Sequence, residues 1–193
     1  MSAVEKLPED FCANPDVAWT FPKVFYTSSQ VFEHEKEAIF AKSWICVAHG
    51  SELAQPNDYI TRKVIGENIV IIRGKDSVLR AFYNVCPHRG HELLSGSGKA
   101  KNVITCPYHA WTFKLDGSLA LARNCDHVES FDKENSSMVP LKVEEYAGFV
   151  FINMDENATC VEDQLPGFAE RLNQACGVIK DLKLAARFVT ETP

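Results

Sequence analysis

The chain has 193 residues, of which 46% are hydrophobic and 24% charged, and its formal net charge is −6. This composition is typical of a globular protein with a buried core, and the acidic balance argues against nucleic acid as a partner, because phosphate binding needs a basic surface. No apolar run approaches the roughly 18 residues of a membrane span, and the N-terminal residues do not resemble a secretory signal, so we expect no membrane partner and a cytoplasmic location.

A helix is predicted after a proline-punctuated N-terminal segment. Thr27 is the predicted N-cap, Gln30 completes a capping box, and Tyr26 can pack on Val31 as a hydrophobic staple. The predicted helix body covers residues 31–43, with apolar side chains broadly on one side and charged side chains mostly on the other.

The middle of the chain consists of short segments rich in β-branched and aromatic residues, which favour strands. The predicted strands are 44–49, 59–65, 68–73, 78–83, 103–106, 111–115, 118–122, 141–144 and 149–153. Turns are predicted at 66–68 and 74–76, and Asp116-Gly117 is a strong hairpin signal. The sequence therefore predicts a mainly β fold of antiparallel sheets with an N-terminal helix.

Helical periodicity returns near Gln164, and a strand-like segment covers residues 184–192. The helical positions, with a glycine as the stop signal, are Leu165, Phe168, Leu172, Cys176 and Gly177. A strand with no later partner indicates an interrupted domain. We therefore expect a complete β domain followed by the start of a second domain.

The chain has seven cysteines, an odd count that suggests reduced thiols with a metal role for some. Two of them belong to the motif described next. The others are expected to be ordinary small thiols: Cys12, Cys46, Cys125, Cys160 and Cys176.

Two short motifs carry the predicted chemistry. Cys86-Pro-His88 is followed, after seventeen residues, by Cys106-Pro-Tyr-His109. Two thiolates and two imidazoles can bind one zinc ion tetrahedrally, or a 2Fe–2S cluster in which one iron takes both cysteines and the other both histidines. Each motif carries one Cys and one His, whereas zinc knuckles commonly pair like residues. This mixed pairing favours the cluster, because each loop then offers one ligand to each iron.

These motifs resemble those of the Rieske family, with Pro87, Pro107 and Gly90 also matching. Respiratory Rieske proteins carry an additional cysteine in each loop, and the two form a disulfide. His91 and Tyr108 occupy those positions here, and Trp111 stands where the respiratory type has a serine that donates to the cluster. Fewer hydrogen bonds to the sulfurs imply a low reduction potential, which suits an oxygenase.

The resemblance extends to the large subunit of Rieske non-heme iron oxygenases. It is carried by residues 40–44, 81–84, 111–117 and 148–153. It implies an N-terminal extension and helix at 1–43, a Rieske domain at 44–155, and a linker helix with the start of an α+β catalytic domain at 156–193. One departure is visible, since the first loop reads Cys-Pro-His where many ring-hydroxylating members have Cys-Arg-His.

Such oxygenases also bind a mononuclear Fe(II) through two histidines and one carboxylate. None of the remaining histidines forms the helical Asp/Glu-x-x-His-x₃₋₄-His pattern of the family: His34, His49, His91 and His127. The ligands of that iron are therefore expected outside this chain. We predict no catalytic residue within it and expect it to pass electrons without oxidising substrate.

Within the family the chain looks most like the branch that oxidises quaternary-ammonium compounds. That likeness implies a monooxygenase converting carnitine to trimethylamine and malic semialdehyde with O₂. Electrons would come from NAD(P)H through a flavin/iron–sulfur reductase, and the full-length protein would be a homotrimer. The alternatives are an oxygenase for glycine betaine, stachydrine or choline, or a stand-alone Rieske ferredoxin. The last is disfavoured by about 85 residues before Cys86 and more than 80 after His109.

Overall fold

The computed structural model describes residues 14, 16–18, 20–125 and 128–186. Two helices come first, α1 (Val24–Thr27) and α2 (Ser29–Ala38), followed by a 3₁₀ turn at Phe40–Lys42. Two short 3₁₀ segments lie later in the chain, at Gly50–Leu53 and Ile179–Asp181. None of the described helices is long and apolar enough to cross a membrane.

Within the described residues, ten strands form two antiparallel sheets. In chain order they are β1 (Ile45–His49), β2 (Asp58–Val64), β3 (Glu67–Arg73), β4 (Leu79–Tyr83), β5 (Ser97–Lys99), β6 (Val103–Thr105), β7 (Thr112–Lys114), β8 (Leu119–Leu121), β9 (Pro140–Tyr146) and β10 (Phe149–Asn153). The larger sheet has the order β1-β10-β9-β4-β3-β2-β5, and the smaller has the order β6-β7-β8. The predicted mainly β, antiparallel fold class is confirmed.

Strand β3 lies inside the larger sheet, and alternate residues of it face two separate cores. Ile69 and Ile71 join the core with β1 and β10, whereas Val70 and Ile72 face the core beneath the smaller sheet. We call the latter the ligand-side core, because it holds both predicted cysteine ligands. Its other members include Trp111, Phe113, Leu119 and Met138.

The predicted Asp116-Gly117 hairpin joins β7 to β8. The Asp116 carboxylate accepts hydrogen bonds from the backbone N–H and the hydroxyl of Ser118, at 2.9 and 2.6 Å. Gly117 has φ +87°, and a Cβ there would lie 2.3 Å from Cε1 of Phe82. Only glycine fits this turn, because both the backbone conformation and the space exclude a side chain.

The N-terminal helix differs from its prediction at both ends. Ser28 is the N-cap of α2, and its Oγ accepts from the Val31 N–H at 3.3 Å. Thr27 instead ends α1 and donates its hydroxyl to the Lys23 carbonyl at 3.2 Å. The helix ends at Ala38 rather than at residue 43 because the chain tightens into the 3₁₀ turn.

The C-terminal helical prediction corresponds to two short helices, α3 (Val161–Gln164) and α4 (Phe168–Ala175). Pro166 and Gly167 separate them, and Gly167 has φ +71°, outside the helical region. Residues 187–192 of the predicted strand at 184–192 lie outside the described residues. Its first three residues have no regular secondary structure.

Candidate metal centre

The first predicted motif forms a tight loop between β4 and β5. The Cys86 N–H donates to the His91 carbonyl at 2.8 Å, and the Gly90 N–H donates to the Cys86 carbonyl at 2.8 Å. Gly90 has φ +71°, a left-handed conformation that glycine adopts without strain. The loop therefore closes on itself at the cysteine.

The second motif forms a loop of the same plan between β6 and β7. The Cys106 N–H donates to the Trp111 carbonyl at 2.7 Å, and the Ala110 N–H donates to the Cys106 carbonyl at 3.0 Å. Ala110 takes the place of Gly90 and has φ +58°, which is strained for a residue with a Cβ. The two loops thus present their cysteines in equivalent backbone settings.

Asn84 anchors the far end of the first loop. Its amide accepts from the Leu94 N–H at 3.0 Å and donates to the Leu94 carbonyl at 2.7 Å, and it also reaches Asn68 Oδ1 at 3.3 Å. The side chain is only 1% exposed. Sequence reasoning noted Asn84 only as part of the family resemblance. In the sequence, the role of Asn84 was indicated only by a polar amide side chain directly after an apolar strand-like segment.

The two cysteine side chains lie together at the base of the loops, 1% and 2% exposed for Cys86 and Cys106. Burial raises the pKa of the Cys86 thiol, and its hydrogen bond with the Cys106 thiol acts in the same direction. The backbone N–H groups of His88 and Arg89 point at the Cys86 sulfur and lower that pKa. These N–H groups would stabilise a thiolate, the form that binds metal.

The two histidine rings contact each other. The centroids of the His88 and His109 rings are 4.7 Å apart, with an interplanar angle of 67°. Desolvation lowers the pKa of His88, as do the charges of His109 and Arg89, and this favours the neutral imidazole. Nδ1 of His109 is buried and has no hydrogen-bond partner among the described residues. A buried imidazole nitrogen without a partner is suited to ligate a metal.

The four predicted ligands therefore form two pairs, thiol with thiol and imidazole with imidazole. A 2Fe–2S cluster with unlike irons needs this two-and-two arrangement, whereas a tetrahedral zinc ion needs all four donors around one point. The donor set fits the cluster.

The remaining histidines are placed differently. The rings of His91 and Tyr108, which occupy the positions of the respiratory disulfide, are 5.7 Å apart at the surface. His34 lies on α2 and His49 ends β1, and none of the four predicted ligands lies on either element. His127 lies outside the described residues.

Comparison with known sequences places the fold and the centre in a family. Residues 43–132 match the model of the Rieske 2Fe-2S domain. These residues therefore form a Rieske 2Fe–2S domain, as the sequence resemblance predicted.

Two curated relatives are both described as a carnitine monooxygenase oxygenase subunit. The one from Acinetobacter baumannii is 99% identical over 193 residues, which is 100% of this chain and 52% of the relative. The one from Escherichia coli K12 is 70% identical over 187 residues, 97% of this chain and 50% of the relative. The chain thus spans about half the length of these relatives.

The fold also matches a solved oxygenase. Naphthalene 1,2-dioxygenase with indole bound in its active site superposes with a TM-score of 0.73 at 30% identity. The match covers 79% of this chain and 35% of that one. The chain is therefore similar to the Rieske-containing portion of a larger oxygenase.

Proposed function

We propose that this chain is the electron-transfer portion of a two-component monooxygenase, with a 2Fe–2S cluster bound by Cys86, His88, Cys106 and His109. The observation that carries the proposal is the two-and-two pairing of these donors, with Nδ1 of His109 buried and unpartnered. When bound, the cluster supplies reversible one-electron storage. The chain supplies its ligands and the N–H groups that face the Cys86 sulfur.

The cysteine and histidine ligands differ in their exposure to solvent. Both cysteines are buried in the ligand-side core, whereas both histidines are half-exposed. The histidine edge is therefore the short route between the cluster and a partner at the surface. Electrons enter and leave most easily on this side.

The mononuclear Fe(II) that activates O₂ lies outside these residues in our proposal. Support comes from the relatives, which are about twice as long and are described as oxygenase subunits. We also propose, from the sequence, that the full-length protein is a cytoplasmic homotrimer and receives electrons from a flavin/iron–sulfur reductase fed by NAD(P)H. Within it, we propose that residues 1–43 are an N-terminal extension and helix and that residues 44–155 are the Rieske domain. Residues 156–193 would be a linker helix and the start of the catalytic domain. The proposed substrate is carnitine, on the strength of the 99% identical relative.

The cluster assignment is tested by iron and acid-labile sulfide analysis of the purified chain, with each expected near two per chain. Cys106→Ser should abolish both. Cys125→Ser is the matched control, because Cys125 packs beside the same core but is not a proposed ligand. Equimolar zinc without sulfide would contradict the assignment.

The proposal that this chain transfers electrons without oxidising substrate is tested by adding the reductase and NADH to it. The 193-residue chain should be reduced but should release no trimethylamine from carnitine. The chain extended past Pro193 and loaded with ferrous iron should release it, and Cys106→Ser in that longer chain should stop turnover while the mononuclear iron stays bound. Trimethylamine release by the 193-residue chain would show that the catalytic iron site lies within it.

A further inference from the structure

The indole of Trp111 lies flat against the imidazole of His88. The two ring centroids are 4.7 Å apart and the planes differ by only 6°. Trp111 belongs to the second loop, whereas His88 belongs to the first. This stack is therefore a contact between the two loops, made directly on one of the proposed ligands.

Packing and the backbone hold Trp111 in this position. Its side chain is 4% exposed, within the ligand-side core, and its ring meets Phe131 edge-on at 5.6 Å and 84°. Its carbonyl accepts the Cys106 N–H that closes the second loop. Its indole N–H, by contrast, is buried without a hydrogen-bond partner among the described residues. The orientation of the ring is therefore set by its contacts with other rings and not by a hydrogen bond.

The position of His88 explains what such a contact can do. His88 follows Pro87 in a surface loop and is half-exposed, so its ring could turn about its side-chain bonds and meet water. His109 contacts it at a steep angle, which leaves one face open. Trp111 covers that face. A parallel aromatic contact of this kind is favourable and also fixes the plane of both rings.

We propose that Trp111 is a positioning residue for the cluster: it fixes the plane of the His88 ring and keeps water from one face of it. This inference rests on the proposed binding of the cluster by the four ligands. An oxidised cluster with two thiolates and two neutral imidazoles carries no net charge, and adding one electron makes it negative. Water stabilises the negative form, so covering His88 lowers the reduction potential.

The test compares Trp111→Leu and Trp111→Phe with the unaltered chain by EPR of the reduced protein and by redox titration. Trp111→Leu removes the flat ring, so it should broaden the EPR lines and shift the midpoint potential to more positive values. Trp111→Phe retains a smaller ring and should give a shift of the same sign but smaller. Iron and sulfide should remain near two per chain in both variants.

Phe113→Leu is the matched control, because Phe113 belongs to the same core and has no ring contact with His88 or Trp111 among the described residues. Its EPR spectrum and potential should match those of the unaltered chain. If the unaltered chain binds the cluster and both Trp111 variants match it too, the positioning role is wrong while the proposed function stands. If the unaltered chain binds no cluster, the proposed function fails and the inference with it. Should Trp111→Leu not fold, Trp111→Phe decides alone by the sign of its shift.

Discussion

Replacing Asn84 by aspartate tests how the first ligand loop is held in place. Asparagine and aspartate have nearly the same shape, so the change alters hydrogen bonding without creating a cavity. A carboxylate still accepts from the Leu94 N–H but no longer donates to the Leu94 carbonyl or to Asn68. The Leu94 carbonyl then faces a negative oxygen at a site that is only 1% exposed.

The expected cost of Asn84→Asp follows from those contacts. An unsatisfied buried polar group costs about 1–3 kcal/mol, and a buried charge left without a partner costs about 3–5 kcal/mol. We therefore expect the free energy of unfolding to fall by about 3–5 kcal/mol. With a urea dependence of about 2 kcal/mol per M, the midpoint should fall by roughly 2 M.

The assay follows loss of the visible cluster absorbance during anaerobic urea titration. Asn102→Asp is the matched control, because Asn102 is exposed and the same charge there should change the free energy of unfolding by no more than about 0.5 kcal/mol. Burial raises the pKa of an aspartate at position 84, so the variant should recover stability as pH falls and the protonated carboxyl donates to Leu94 again. Equal midpoints for Asn84→Asp and Asn102→Asp would refute the anchoring role of Asn84.

Three further outcomes are expected. Ala110→Gly should stabilise the protein by about 0.5–1 kcal/mol, which would raise the temperature of cluster loss. Glycine relieves the strain at φ +58°, and its greater conformational entropy in the unfolded chain offsets part of that gain. Gly117→Ala should destabilise it by about 2–4 kcal/mol in the same assay, because the new methyl collides with Phe82; an unchanged temperature would contradict the packing described. Redox titration should give a midpoint potential well below that of respiratory Rieske proteins, since His91 and Tyr108 replace the disulfide; a strongly positive value would oppose the oxygenase assignment.

What the sequence predicted well was local in the chain. The Asp116-Gly117 hairpin depends on two adjacent residues, and the four ligand candidates depend on spacing within two short loops. Most strands were located to within a residue or two, because β-branched and aromatic side chains mark them. The ligand assignment itself stays a prediction until the cluster is measured.

What the sequence did not predict depends on contacts between distant segments. Strand β5 (Ser97–Lys99) has no strand-favouring composition, and it forms because β2 offers an open edge for pairing. The N-cap was misplaced by one residue because Thr27 and Ser28 are both good caps, and only the extended backbone of Ser28, with φ −86° and ψ 120°, decides between them. The stack of Trp111 on His88 joins residues more than twenty positions apart, which no local pattern could indicate.

Pulsed EPR of the chemically reduced chain tests the central claim most directly, because it detects the nitrogen nuclei bound to the reduced iron. Two imidazole ligands, His88 and His109, predict two strongly coupled nitrogens in the spectrum. Their signals should disappear together with the cluster in Cys106→Ser and persist in Cys125→Ser. A spectrum without coupled nitrogens would indicate an all-cysteine cluster, and a protein without any EPR signal after reduction would contradict a Rieske centre in this chain.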